Sequence, residues 1–256
     1  MNILHLTHTD INSDSRILKE MLSIANSSNV YNVHGIGIER NEDRNSNTTE
    51  NITIHSLKLR TRNWKKLPNM FRHILTLIEF YIKLFSFSKK LKPNIIHCHD
   101  VMVLPIGVLV KIFYKTKLIY DAHELESKKN GITPIENKIV YFVEKISWKY
   151  INNLIVVSPS IVKWYNKEIG EKSTEIIMNA PFVEKNNIDE ESDYLRKLYN
   201  IPKSSKIFIY IGGFSKGRGI EILMNIFKKE DINSHIVFLG YGELRDKMIQ
   251  ESEKYV

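Results

Sequence analysis

The sequence holds one cysteine, Cys98, so no disulfide can form within the chain. Its opening, MNILHLTHTD, has neither the basic end nor the apolar core of a secretory signal peptide. Both absences point to a cytoplasmic protein. There is no repeat at solenoid spacing and no low-complexity tract, which excludes stacked-repeat architectures. The apolar stretch Pro68–Leu91 is interrupted by Arg72, Glu79 and Lys83 too often to span a bilayer. Acidic residues are scarce in one place only: between Lys58 and Lys92 a single acid, Glu79, stands against ten Lys/Arg. The net charge of +8 therefore lies in that segment, and the rest of the chain is close to neutral. Positive charge spread over a whole protein suits nucleic acid, whereas a confined basic segment suits a local anionic surface, so nucleic acid is not expected as a partner.

What is present is a globular balance, 43% hydrophobic with 26% charged residues, enough to bury a core. Short apolar runs alternate with helical patterns. Ile3–Thr7, Val30–Gly37, Ile52–Ser56, Asn94–Cys98, Lys117–Tyr120, Asn153–Val157, Glu175–Met178, Lys206–Ile211 and Ser234–Leu239 read as strands. Arg16–Ala25, Pro68–Leu91, Ile135–Tyr150 and Ile220–Lys228 read as helices. That order predicts an α/β fold, an open and mostly parallel sheet with helices on both faces. The pattern breaks after Asn179-Ala180-Pro181, so the expected division is a first domain over 1–183, a linker over 184–205 and a second domain over 206–256. The second has about two βα units, fewer than a doubly wound domain needs, and is expected to be incomplete. Asn41–Asn51 reads as a polar loop.

In open α/β sheets ligands bind beyond the carboxyl ends of the strands. Four such ends carry polar residues. The first runs from His5 through Thr9 and Asp10 to Arg16 at a helix start, the second is His97-Cys98-His99-Asp100, and the third is Tyr120-Asp121-Ala122-His123-Glu124. The fourth, Gly212-Gly213-Phe214-Ser215-Lys216-Gly217-Arg218-Gly219, brings two cations and a glycine-rich turn to a helix start, where phosphate is readily bound. Gly240-Tyr241-Gly242 repeats the placement one unit later and suits a close backbone approach to a ligand. His97 and His99 have no third histidine near them in the sequence, so no metal is expected. Cys98 reads as a buried small residue. Within Pro68–Leu91, Phe71, Ile74, Leu75, Ile78, Ile82 and Phe85 form the expected core stripe. The apolar surface is broader than one stripe needs, and with the surrounding lysines the 58–92 segment suits an anionic membrane surface as well as it suits a solvated basic face.

These strand ends together resemble the group 1 (family 4) glycosyltransferases of the GT-B superfamily. Arg218-Gly219 stands at the family's Lys-Gly pair, Gly240 and Gly242 at its later glycines, Tyr120–Glu124 at its "yD-x-H-E" strand end, Ser158-Pro159-Ser160 at its "S-x-S" helix start and Asn179-Ala180-Pro181 at its "N-x-P/V" segment. The resemblance implies two Rossmann-like domains, a nucleotide-sugar donor held mainly by the second, a glycan or lipid-linked acceptor held mainly by the first, no cofactor and no metal, and retention of anomeric configuration. It makes His123 the catalytic residue beside the donor sugar. Gly212, Gly213, Lys216, Arg218 and Gly219 bind the donor diphosphate, Gly240 and Gly242 form a donor-binding loop, and Thr9, Asp10, Arg16, His99 and Asp100 lie on the acceptor side. The chain departs from the pattern at Gly213, where the family has arginine, and the family's E-x7-E motif would lie past Val256. A glycosyltransferase of surface polysaccharide synthesis, cytoplasmic or peripheral on the inner membrane face, is the expectation. The alternatives are a non-catalytic acceptor-binding or membrane-docking fragment and a GT-B nucleotide-sugar epimerase.

Overall fold

A computed structural model describes residues 1–28, 30–39, 48–49, 52–128, 132–180, 193–229 and 233–253. Most of the polar stretch 41–51 and residues 184–192 of the expected linker lie outside them. The chain divides into two compact units, Met1–Pro181 and Phe182–Val256.

In the first unit β1 (Asn2–Leu6), α1 (Ser15–Ser27), β2 (Asn32–Ile38), β3 (Thr48–Thr49), β4 (Ile52–Leu57), α2 (Asn69–Leu91), β5 (Ile95–His99), α3 (Leu104–Tyr114), β6 (Lys117–Ala122), α4 (Pro134–Ser147), β7 (Asn153–Val156), α5 (Pro159–Glu168) and β8 (Thr174–Ile176) follow one another. The sheet order is β3-β4-β2-β1-β5-β6-β7-β8. All pairings are parallel except β3 with β4. The two-residue β3 lies where the sequence suggests only loop. The chain winds outward from β1 to β4 in one direction and from β5 to β8 in the other, so the topological switch point falls between β1 and β5.

Local chemistry sets the helix starts. Asp14 caps α1 by accepting from the Ile17 amide, and Thr133 with Glu136 forms a capping box ahead of Pro134 on α4. Strand alternation then divides the core. Leu4, Leu6, Ile96, Cys98, Leu118, Tyr120 and Ala122 pack with α2 and α3 on one face, while Val33, Ile52 and Ile54 pack with Ile17, Met21 and Ala25 of α1 on the other. Cys98 is wholly buried, and burial pushes its thiol well above the usual range, consistent with an inert core residue.

α2 is rotated relative to the expected core stripe. Phe80, Leu84 and Ser88 are buried, whereas Phe71, Ile74, Ile78 and Ile82 are exposed. The polar side of the helix explains the rotation. Glu79 accepts from the Arg60 and Thr61 amides and the Thr61 hydroxyl and pairs with Lys83, so that side faces the 58–61 backbone and turns the apolar stripe outward.

The second unit contains α6 (Tyr194–Tyr199), β9 (Lys206–Ile211), α7 (Ile220–Phe227), β10 (Ser234–Leu239) and α8 (Arg245–Ser252). β9 and β10 are parallel, and Phe214, Ile220, Met224, Leu244 and Met248 form a small core beside them.

Candidate functional site

The alternation that sends Leu4, Leu6, Ile96 and Cys98 to one face sends His5, His97 and His99 to the other. In register His5 lies beside His97, and His99 beside Asp121. All four are buried beneath α1, whose first turns supply Arg16 and Glu20. The Arg16 guanidinium donates to both Asp121 oxygens, at 2.7 Å from Nη2 and 3.3 Å from Nε, and lies 3.1 Å from Glu20 Oε1. Asp121 Oδ2 in turn lies 3.1 Å from His99 Nδ1. A carboxylate held by arginine can only accept, so His99 carries its proton on Nδ1 and its Nε2 accepts from His5 Nδ1 at 2.8 Å.

This chemistry is costly to bury. Desolvation lowers His5 to about 3 and holds His97 and His99 well below the usual histidine range, so all three are neutral. Desolvation, followed by the Asp121 charge, raises Glu20 to about 7. Arg16, Glu20 and His97 line one side of a cavity of about 310 Å³, whose other walls include Ile155, Met178 and Ala180. The Arg16 Nη1 donor is buried with no hydrogen-bond partner among the described residues.

The expected acceptor-side residues separate into two groups. Arg16 and His99 belong to the buried network. Asp100, the residue after β5, has a φ of 86°, accepts from the Met102 amide and lies 2.6 Å from His8 Nδ1. Thr9 bonds Thr7 within its own loop, and Asp10 caps the short turn Ile11–Ser13 through the Asn12 amide. His123 sits half-buried just past β6, its Nδ1 without a partner among the described residues. Sequence reading assigns no functional role to His5 or Asp121 and offers Glu20 only as an ion-pair partner for Arg16 on its own helix, the pair seen at 3.1 Å. They are found by laying the strands side by side, since His5 is distant from His97 in the chain and adjacent only at the switch point.

In the second unit the glycine-rich turn joins β9 to α7. Gly217 and Gly219 have φ of 81° and 77°, left-handed values that favour glycine, and Gly219 caps α7. Lys216 and Arg218 are exposed, with Arg218 Nε donating to Ser215 Oγ. Gly240 and Gly242 make their close approach to the protein's own backbone. A Cβ at Gly240 would lie 1.9 Å from the Gly212 oxygen, and one at Gly242 would lie 2.4 Å from the Phe214 oxygen. Three bonds lace the loops together: Gly212 N to Leu239 O, Phe214 N to Tyr241 O and Leu244 N to Phe214 O.

No family model matches the chain. A glycosyltransferase of Methanocaldococcus jannaschii is 28% identical over 181 residues, which cover 65% of this chain and 44% of that protein. The chitobiosyldiphosphodolichol beta-mannosyltransferase of Kluyveromyces lactis is 24% identical over 80% of this chain and 52% of its own length. The chain thus spans about half the length of these curated relatives. Among solved structures, sucrose-phosphate synthase from Thermosynechococcus elongatus superposes with a TM-score of 0.73 at 16% identity, covering 98% of this chain and 68% of that one. HepE of Anabaena, solved in complex with UDP-glucose, gives 0.67 at 12% identity over 99% and 66%. The fold is GT-B, and the curated relatives are glycosyltransferases.

The loop geometry makes a direct prediction. Gly240→Ala forces the Gly212 carbonyl away and separates the two loops, with an expected cost of about 2–4 kcal/mol in denaturant unfolding. Gly217→Ala, where a Cβ meets nothing within 4 Å, carries only the left-handed backbone penalty of about 1–2 kcal/mol. Equal losses for both variants would contradict the loop packing.

Proposed function

We propose that this protein is a retaining glycosyltransferase that moves a sugar from a nucleotide-sugar donor to a glycan or lipid-linked acceptor in surface polysaccharide synthesis, without a metal on the donor diphosphate. The observation that carries the reading is the turn between β9 and α7. It sets two exposed cations, Lys216 and Arg218, at a helix start whose first amides have no intrahelical acceptor. In this reading Arg218, with Lys216, stabilises the charge that grows on the nucleoside diphosphate as it leaves. His123 acts at the reacting sugar. The largely apolar cavity beside Arg16, with its unpartnered Nη1 donor, receives an oxygen of the acceptor. The expected result with the protein expressed from its whole reading frame is nucleoside diphosphate release that requires both a nucleotide sugar and an acceptor. His123→Ala and Arg218→Ala should each lower the rate by about 10²–10³-fold. Conversion of the nucleotide sugar with no acceptor present would instead favour an epimerase, and no turnover with any donor would contradict the proposal.

The same reading places the first unit on an anionic membrane. Among the described residues no helix is long and apolar enough to cross one. α3 packs between α2 and α4, and all three expose apolar side chains. These include Phe71, Ile74, Ile78 and Ile82 on α2, Ile112 and Phe113 on α3, and Ile135, Ile139, Phe142 and Ile146 on α4. α4 is inverted, burying Glu144 against the Tyr120 and Tyr165 hydroxyls while its isoleucines face outward. Exposed Trp64, Lys65, Lys66, Lys89 and Lys90 supply an interfacial ring and positive charge. Co-sedimentation should be strong with phosphatidylglycerol vesicles and weak with phosphatidylcholine. Ile74→Asp and Ile139→Asp should each reduce it by about tenfold or more, and unchanged binding in both variants would rule out this face.

A further inference from the structure

The buried histidines at the switch point carry more acceptor capacity than the fold uses. His99 Nδ1 donates to Asp121 and His5 Nδ1 donates to His99, which leaves the His5 Nε2 lone pair unused. His5 Nε2, His97 Nε2 and Glu20 Oε2 are buried with no hydrogen-bond partner among the described residues, while Glu20 Oε1 pairs with Arg16 at 3.1 Å. His97 Nε2 is 3.7 Å from Glu20 Oε2. These atoms do not scatter. One ligand atom from each of His5, Glu20, His97 and His99 lies within 4.8 Å of every other. Buried polar groups are almost always satisfied, so unpaired lone pairs on side chains clustered this closely call for a common partner that accepts electron pairs.

We propose that His5, His97, His99 and Glu20 hold a divalent transition-metal ion of the zinc type. Three imidazoles and one carboxylate make the N₃O set that zinc takes in tetrahedral sites. Ligands about 2.0–2.2 Å from a tetrahedral ion stand about 3.3–3.6 Å apart, so closing the cluster needs side-chain rotations in which His99 Nε2 exchanges the hydrogen bond it accepts from His5 Nδ1 for the ion, while His5 ligates through Nε2. The outer shell is already built. Asp121 orients His99 through Nδ1, and Arg16 fixes Asp121, the carboxylate–histidine arrangement that sets tautomer and ring direction at metal centres. Entry is through the cavity that His97 and Glu20 line. With all four positions taken by the protein the ion does no chemistry. It ties α1 to β1 and β5 across the switch point and stiffens the floor of the cavity. The cluster adjoins the cavity assigned above to the acceptor, but its test reads metal binding rather than sugar transfer, so failure of either reading is seen separately.

The test uses the whole chain, freed of metal by chelator, and titration with Zn²⁺ and Co²⁺. The expected result is one tight equivalent, a raised thermal midpoint and the intense visible absorption of four-coordinate cobalt. Glu20→Gln and His97→Asn should each weaken binding at least about tenfold and abolish that absorption, with circular dichroism confirming that the variants fold. His73→Asn and His235→Asn, which lie outside the cluster, should change neither. Should the cluster variants fail to fold, the wild-type titration decides. Absence of a stoichiometric site, a cobalt spectrum of six-coordinate type, or binding that His73→Asn removes would each overturn the proposal.

Discussion

The buried ion pair between Arg16 and Asp121 is the interaction on which the chemistry of the first unit depends. It joins the first turn of α1 to the end of β6, spanning β1 and β5, and it fixes the one carboxylate that orients His99. Removing either partner would leave an uncompensated charge in the interior, at a cost of about 3–5 kcal/mol. Glu20 extends the pair along α1, and His5 extends it into β1 through His99. A helix that could otherwise slide over the sheet is thereby held in one register.

That register matters because of where it falls. A parallel sheet brings every strand's carboxyl end to one edge, and the reversal of winding between β1 and β5 opens a crevice there. The fold spends its apolar residues on the α2–α3 face and puts ionisable ones on the α1 face at the same strands. The second unit uses a different device. Its glycines pack two loops backbone to backbone and leave Lys216 and Arg218 outside them, so cations are presented on a rigid turn.

Much of this was legible in the sequence. Apolar runs and helical spacing located the strands of the parallel sheet and the long helices to within a few residues, because strands covered on both faces leave a strong signal. Polar residues at strand ends marked the edge where the buried histidine network lies and the glycine-rich turn between β9 and α7. What could not be read were relations between distant segments. His97 and His99 lacked a visible third histidine because His5 joins them only through sheet pairing. The stripe on α2 was assigned to the core because apolar spacing cannot say which of two apolar faces is covered; the bonds from Arg60 and Thr61 to Glu79 decide that. The packing of Gly240 and Gly242 against the backbone of Gly212 and Phe214 is likewise a relation between separate loops.

A double-mutant cycle on Arg16 and Asp121, read by urea unfolding, tests the central claim most directly. Arg16→Met and Asp121→Asn should each destabilise by about 3–5 kcal/mol. The double variant should lose far less than their sum, a coupling of about 2–3 kcal/mol. Additive losses would mean that the two charges do not act as a pair and that the site is not organised around them.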